Sequence, residues 1–350
     1  MRRAPISNLA VVRDFFLVFL VQVLVSCDSG RRVVVYTSLD EVFSRPVLEA
    51  FEARTGIRVD EVFDVEADKT TGLYNRLVRE HESGRTRADV FWNSEVARTI
   101  QLERRGALAR YDSASASDIP DDFRRATWTG FAARARIVIY NRDRVAESEA
   151  PKSIWDLTHE RFRGEAAIAL PLFGTTATHA GALYSVLGRE AAEEYFQRLA
   201  ANDVKVLAGN STVRDRVARG ELRVGLTDTD DAYVALEKGL PVGIVFPDQE
   251  TGFPGLERPL GTFVIPNTVA LIAGAPHAEE GRRLIDFLLS RETEAALAKA
   301  ESAQIPLRAG IPGPEIPGMP ERLIWTKVSY DDVARGVEAM REFLEKLFVR

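Results

Sequence analysis

The chain has 350 residues, enough for two domains of about 150 residues each. With 45% hydrophobic and 28% charged residues it is neither disordered nor collagen-like. Its 46 basic and 52 acidic residues give a net charge of −6 with no basic run, which argues against nucleic acid as a partner. Cys27 stands alone, so an internal disulfide and a cysteine-based zinc site are both excluded.

Arg2 and Arg3 precede an apolar run, Phe15 to Val25, broken only by Gln22. Eleven residues rise about 16 Å as a helix, short of the ~30 Å hydrocarbon core of a bilayer. A basic start, a short apolar run and small residues before a cut mark a secretory signal. Leu24-Val25-Ser26-Cys27 resembles a bacterial lipobox, in which Cys27 is lipidated and becomes the mature N-terminus. Residues 1–26 are therefore predicted to be a lipoprotein-type signal peptide and 27–32 a tether. The body is expected in the periplasm or at the outer face of the cytoplasmic membrane, held by its lipid.

Downstream, short runs rich in Val and Ile alternate with helical patterns. The predicted strands are 33–37, 57–63, 89–92, 137–141, 166–170, 204–207, 222–226, 242–246 and 269–273. Continuous apolar strands separated by helices point to parallel sheets covered on both faces. Ser44 is the predicted cap of the first helix, with Pro46 in its first turn and Gly56 at its end. Gly106, Gly220 and Gly239 are placed as helix terminators. Residues 113–122, 246–266 and 306–320 read as loops, and 331–347 as a final amphipathic helix. The predicted fold is α/β, with two doubly wound lobes joined by a hinge and a ligand site in the cleft between them. Lobe 1 takes 33–135 plus 266–300 and lobe 2 takes 136–265. Residues 301–350 form a C-terminal helical segment packing on both.

In open α/β sheets, ligands gather beyond the carboxyl ends of strands, where helix N-termini point. The loops at those ends are consistently polar. The first carries Ser38 and Asp40, and the third strand runs through Trp92 into Asn93 and Glu95. Later loops carry Thr175 and Thr176, then Asn210 and Ser211, then Asp228, Thr229, Asp230 and Asp231. Helix N-termini suit anions and clustered carboxylates suit cations. Side-chain capping alone accounts for any single loop, and the crowding of Asp228, Asp230 and Asp231 is what capping explains least. Trp92 is left between core and cleft wall, and His179, one turn into its helix, between core and cleft. No nucleophile elbow, phosphate-binding P-loop or zinc-protease motif is present.

The segments Val33-Val34-Val35-Tyr36, Thr55-Gly56-Ile57, Ala88-Asp89-Val90-Phe91-Trp92-Asn93-Ser94-Glu95, Arg136-Ile137-Val138-Ile139-Tyr140-Asn141 and Asn210-Ser211 resemble the ferric-ion type of bacterial extracellular solute-binding protein. Such proteins are the capture components of ABC importers. The resemblance implies a type II periplasmic-binding-protein fold that closes over its ligand, no enzymatic activity and no resident cofactor. It implies permease and ATPase subunits as partners, a lipid anchor to the membrane and a monomer. The family's metal-binding glutamate falls on Glu95 and its anion-binding loops on Gly174-Thr175-Thr176 and Asn210. Its adjacent iron-ligating tyrosines fall on Thr229 and Asp230, and a first-loop histidine near Asp40. Asp40, Glu95, Asp228 and Asp230 are thus the candidate oxygen ligands for ferric iron or another cation as transported cargo. An organic cation such as a polyamine or thiamine, or a phosphonate-type anion, stays open. The non-transport alternative is an aspartate-nucleophile phosphatase built on Asp228-x-Asp230.

Overall fold

The computed structural model describes residues 30–64 and 72–349; Cys27 and the predicted signal segment lie outside them. Among the described residues, strands β1 (Arg32–Thr37), β2 (Arg58–Phe63), β3 (Val90–Asn93), β4 (Trp128–Asn141), β5 (Ala166–Ala169), β6 (Lys205–Leu207), β7 (Val224–Asp228), β8 (Val242–Val245) and β9 (Val264–Leu271) join in the order β2-β1-β3-β9-β4-β7-β5-β6, with β8 also on β4. The helices are α1 (Glu41–Thr55), α2 (Gly72–Glu82), α3 (Val96–Arg104), α4 (Gly174–Leu187), α5 (Arg189–Ala201), α6 (Asn210–Ala218), α7 (Thr229–Glu237), α8 (Ala278–Leu288), α9 (Arg291–Lys299) and α10 (Tyr330–Phe348).

The expectation of purely parallel sheets fails at the centre. β1 pairs in parallel with β2 and β3, and β5 with β6 and β7. β4 is antiparallel to β7, β8 and β9, and β9 is antiparallel to β3. Each half is a parallel crossover unit closed by an antiparallel strand from the long connection between halves. β4 changes partners between Ala135, opposite Val264 on β9, and Arg136, opposite Asp228 on β7. Its first nine residues, Trp128–Arg136, were not in the predicted strand, because Gly130 and the two arginines at 134 and 136 break the apolar run. β9 likewise begins inside the stretch read as loop.

Alternation along β4 feeds two apolar clusters, with Ile137 and Ile139 in one and Val138 and Tyr140 in the other. The first cluster runs from β1 and β3 through β9 and across one face of the second half-sheet; the second, with Tyr195, Phe196, Met340 and Leu344, covers the opposite face. Gly56, Gly106, Gly220 and Gly239 all take positive φ, 67° to 73°, where a Cβ is disfavoured. The start of α1 corrects the sequence reading. Asp40 is its N-cap, and Ser44 lies buried in the second turn with Oγ donating to the carbonyls of Leu39 and Asp40.

The crossover from β8 to β9 is pinned. Asp248, with φ 62° and 4% exposed, accepts hydrogen bonds from Ser153 Oγ and Ile154 N. Burial, opposed by those two bonds and aided by Asp156, pushes its carboxyl up to about 7. A raised carboxyl pKa makes the native state bind more protons than the unfolded chain, so the contribution of Asp248 to stability is fully present below about pH 4 and is lost as pH rises to about 7. Asp248→Asn should flatten this slope, worth up to about 4 kcal/mol, in urea denaturation at pH 4 and pH 7. If the variant keeps the full slope, the burial cost lies elsewhere.

α10 packs on α4 and, along its other flank, on α3. The α4 contact is backbone to backbone: a Cβ at Gly181 would stand 2.4 Å from Val333 O, and one at Gly336 2.4 Å from Gly181 O. Gly181→Ala should therefore force the helices apart and lower stability by about 1–3 kcal/mol, read as a fall in Tm.

Candidate functional site

A cavity of about 380 Å³ opens where the strand carboxyl ends of both halves meet. Its wall takes Asp40 and Phe43 from the start of α1 and Ser94 from the loop after β3. Arg134 comes from β4, Phe173–Thr176 from the start of α4 and Gly209–Ser211 from the start of α6. Asp228, Asp230 and Asp231 come from the junction of β7 and α7, and Arg214 from α6. The sequence reading thus finds Asp40, Thr175, Thr176, Asn210, Ser211, Asp228, Asp230 and Asp231 on one wall.

The organising contact is Asp228, 1% exposed at the end of β7. Its Oδ1 accepts from Arg136 Nη1 at 2.7 Å, and its Oδ2 accepts from Thr175 Oγ1 at 2.6 Å and Asn210 Nδ2 at 3.0 Å. Arg136 Nη1 also donates to Asn210 Oδ1 at 3.1 Å. One carboxylate therefore ties β4 to the first residues of α4 and α6. Arg134, two residues along β4 and on the same face, reaches Asp230 Oδ2 at 3.2 Å and Asp228 Oδ2 at 3.7 Å. Burial works against the Arg134 charge, but Asp230 and Asp228 outweigh it and hold the guanidinium charged. Asp230 is shifted up, by burial first; Arg134 opposes the shift, while Asp228 and Asp40 add to it. Arg214 stands 3.6 Å from Asp231. Three carboxylates, of Asp228, Asp230 and Asp231, each offer an oxygen within 4.8 Å of the others, and three arginines face them.

Capping falls where it was least expected. α1, α4, α6 and α7 start at the cavity with no side-chain capping hydrogen bond. Glu95 is the cap instead: its carboxylate, 1% exposed, accepts from Ala97 N at 2.8 Å and Arg98 N at 3.0 Å, and from Thr178 Oγ1 on α4 at 2.9 Å. It does not line the cavity, so the assignment of Glu95 as a metal ligand is not supported by its position.

Other candidates also sit behind the wall. Trp92 is fully buried with its ring 5.9 Å from Phe131, so of the two positions left open it has the core. Ser38 Oγ donates to Asn93 Oδ1 at 2.6 Å, and Asn93 Nδ2 reaches Thr99 Oγ1 at 3.3 Å, bracing the loop after β3. Thr229, fully buried, accepts from Ala135 N at 3.2 Å. His179 stacks on Phe263 at 5.5 Å, and burial, with Arg136 nearby, drives its pKa well below the ordinary value. Sequence reasoning missed Arg134, Arg136, Arg214, Phe43 and Phe173. The signal for the first two was there: arginines two apart in an otherwise apolar strand share a face and must find partners there.

Residues 98–326 match the family described as bacterial extracellular solute-binding protein. Iron uptake protein A1 of Synechocystis sp. is 26% identical over 291 residues, covering 79% of this chain and 74% of that protein. A protein of Salmonella typhi named for periplasmic 2-aminoethylphosphonate binding is 28% identical over 206 residues, 58% of each chain. The crystal structure of apo ferric ion-binding protein A from Pasteurella haemolytica superposes with a TM-score of 0.79 at 21% identity, covering 92% of this chain and all of that one. That likeness establishes the two-lobed type II periplasmic-binding-protein fold.

Removing one member of the Arg136–Asp228 pair leaves a buried charge without its partner. Arg136→Met and Asp228→Asn should each cost about 3–5 kcal/mol, and the double variant less than their sum. Additive losses in a chemical-denaturation cycle would show that the two side chains are not coupled.

Proposed function

Because the chain belongs to the bacterial extracellular solute-binding protein family, we propose that it is the solute receptor of an ABC importer and that its cavity takes a small solute pairing an oxyanion with an adjacent positive centre. It is a binding protein and not an enzyme, which removes the phosphatase alternative; Asp228, saturated by Arg136, Thr175 and Asn210, is no free nucleophile either. The observation that carries the ligand reading is the pair of uncapped N-termini of α4 and α6 opening beside Arg134. Backbone N–H groups at such ends and a guanidinium together suit a phosphonate or phosphate group. Asp40, Asp230 and Asp231, which line the same cavity, suit the positive centre.

An organic zwitterion such as an aminoalkylphosphonate presents an oxyanion to the helix ends and Arg134 and an ammonium to the aspartates. Ferric iron accompanied by an oxyanion has the same pattern, and the three aspartate oxygens within 4.8 Å favour it as the second reading. A bare trivalent ion is disfavoured. The arginines already answer these carboxylates.

The remaining assignments extend this reading. Lobe 1 (33–135 and 266–300) and lobe 2 (136–265) would close over the solute, supported by the partner change of β4 at Ala135 and Arg136. Residues 301–350, ending in α10, pack on both lobes. Residues 1–26 would direct export to the periplasm and Cys27 would carry the lipid, leaving a monomer that meets the permease and its ATPase at the membrane. No helix among the described residues is long and apolar enough to cross a membrane.

A thermal-shift series tests the ligand. 2-Aminoethylphosphonate should raise Tm, at 100 times its Kd by the equivalent of about 2.7 kcal/mol, while methylphosphonate or ethanolamine alone should do far less. Under the iron reading, ferric ion should act only together with phosphate or citrate, and a chelator should reverse it. A shift with polyamine or thiamine and none with oxyanion-bearing solutes would sink the proposal.

A further inference from the structure

We propose that Glu95 and Thr178 form a positioning latch that holds the two lobes together over the cavity, and that Glu95 does not touch the solute. The inference rests on the solute-capture reading for its binding arm but on geometry alone for its conformational arm. Glu95 follows β3 and caps α3 in the first half of the sheet; Thr178 lies in the second turn of α4 in the second half. Their 2.9 Å hydrogen bond therefore crosses between the halves. Both residues are 1% exposed, so water does not compete for the bond. Both carboxylate oxygens of Glu95 are occupied: Oε1 by Arg98 N, and Oε2 by Ala97 N and Thr178 Oγ1.

Two features make this a switchable contact rather than a fixed strut. On the α3 side the carboxylate is held by two backbone donors, so it stays in place when the lobes part. On the α4 side a single hydroxyl completes the contact, and the Thr178 hydroxyl has a second acceptor in its own helix, Gly174 O at 3.1 Å. Opening the lobes thus costs the charge-assisted bond but strands no donor, which suits a bond that must break in each cycle. A second link between α3 and the other half, Gln101 Nε2 to Glu338 Oε1 at 3.1 Å, involves a glutamate 56% exposed. Partly solvated polar contacts of that kind contribute little, so the Glu95–Thr178 bond acts beside the buried links that also join the halves, Arg134 to Asp230 Oδ2 and Ala135 N to Thr229 Oγ1, both at 3.2 Å.

A charge-assisted hydrogen bond of this type is worth about tenfold in a two-state equilibrium. The apparent Kd of a solute that binds only the closed form varies inversely with the closed fraction. Thr178→Val removes the hydroxyl and keeps the shape; Thr178→Ser keeps the hydroxyl. Small-angle scattering of the unliganded full chain should show a larger radius of gyration for Thr178→Val than for wild type or Thr178→Ser. With 2-aminoethylphosphonate as probe, Thr178→Val should bind about tenfold more weakly with a faster off-rate, and Thr178→Ser as wild type. Unchanged scattering and unchanged affinity in Thr178→Val would overturn the latch. So would loss of ferric-ion binding in Glu95→Gln with full binding in Thr178→Val, since that marks Glu95 as a ligand. If the probe binds neither wild type nor variant, the ligand assignment fails, while scattering still decides the latch.

Discussion

The site depends on one buried carboxylate. Asp228 holds Arg136, Thr175 and Asn210 at once, and those three residues belong to the central strand and to the starts of two helices. A carboxylate removed from water is tolerated when its remaining acceptors are met; Arg136, by contrast, keeps Nε and Nη2 buried without a hydrogen-bond partner. For Asp228 they are met by the residues that begin α4 and α6. The helix starts are therefore fixed in direction by the need to satisfy a charge, and their backbone N–H groups are left to face the cavity. Loss of Asp228 would remove the anchor of both helix starts without removing any of the backbone donors.

This arrangement explains why the polar residues at the strand ends exchange roles relative to their types. Threonine and asparagine at a helix start ordinarily cap it. Here they turn inward to Asp228, and the helix ends stay open to a ligand. A glutamate between a strand and a helix, which the family resemblance implies is a ligand, instead caps α3 and reaches across to α4. At the two positions where the family resemblance implies tyrosine ligands stand Thr229, which is buried against β4, and Asp230, which is paired with Arg134. Each departure is local, yet together they form a set of internal contacts, ion pairs among them, and the starts of α4 and α6 carry no side-chain cap.

Much of the architecture was legible in the chain because it follows from pattern. Valine-rich runs, glycines at helix ends and polar loops after strands give nine strands and the wall of the cavity. What stayed hidden was long-range. The first nine residues of β4 read poorly because Gly130, Arg134 and Arg136 interrupt the apolar run, and only the tertiary contact with Asp228 and Asp230 makes buried arginines stable there. The acidic cluster read as a cation site because its counter-charges lie some ninety residues earlier in sequence. The capping role of Glu95 was hidden for the opposite reason: its partners Ala97 and Arg98 are adjacent, but backbone donors carry no mark in the sequence.

The balance of charge bears on what such a cavity can select. Arg134 and Arg214 line the cavity with Asp40, Asp228, Asp230 and Asp231, and Arg136 lies buried behind Asp228, so the wall carries both signs at short range. A ligand of one sign is attracted by some of these groups and repelled by the rest, and in a confined cavity that repulsion is weakly screened. A ligand with its own separated charges can place each end against the opposite sign. Because most of the charged groups are already paired within the protein, they need little reorganisation when the solute arrives. Discrimination then comes chiefly from the spacing of the two charges in the solute, which a fixed wall can measure and a flexible one cannot.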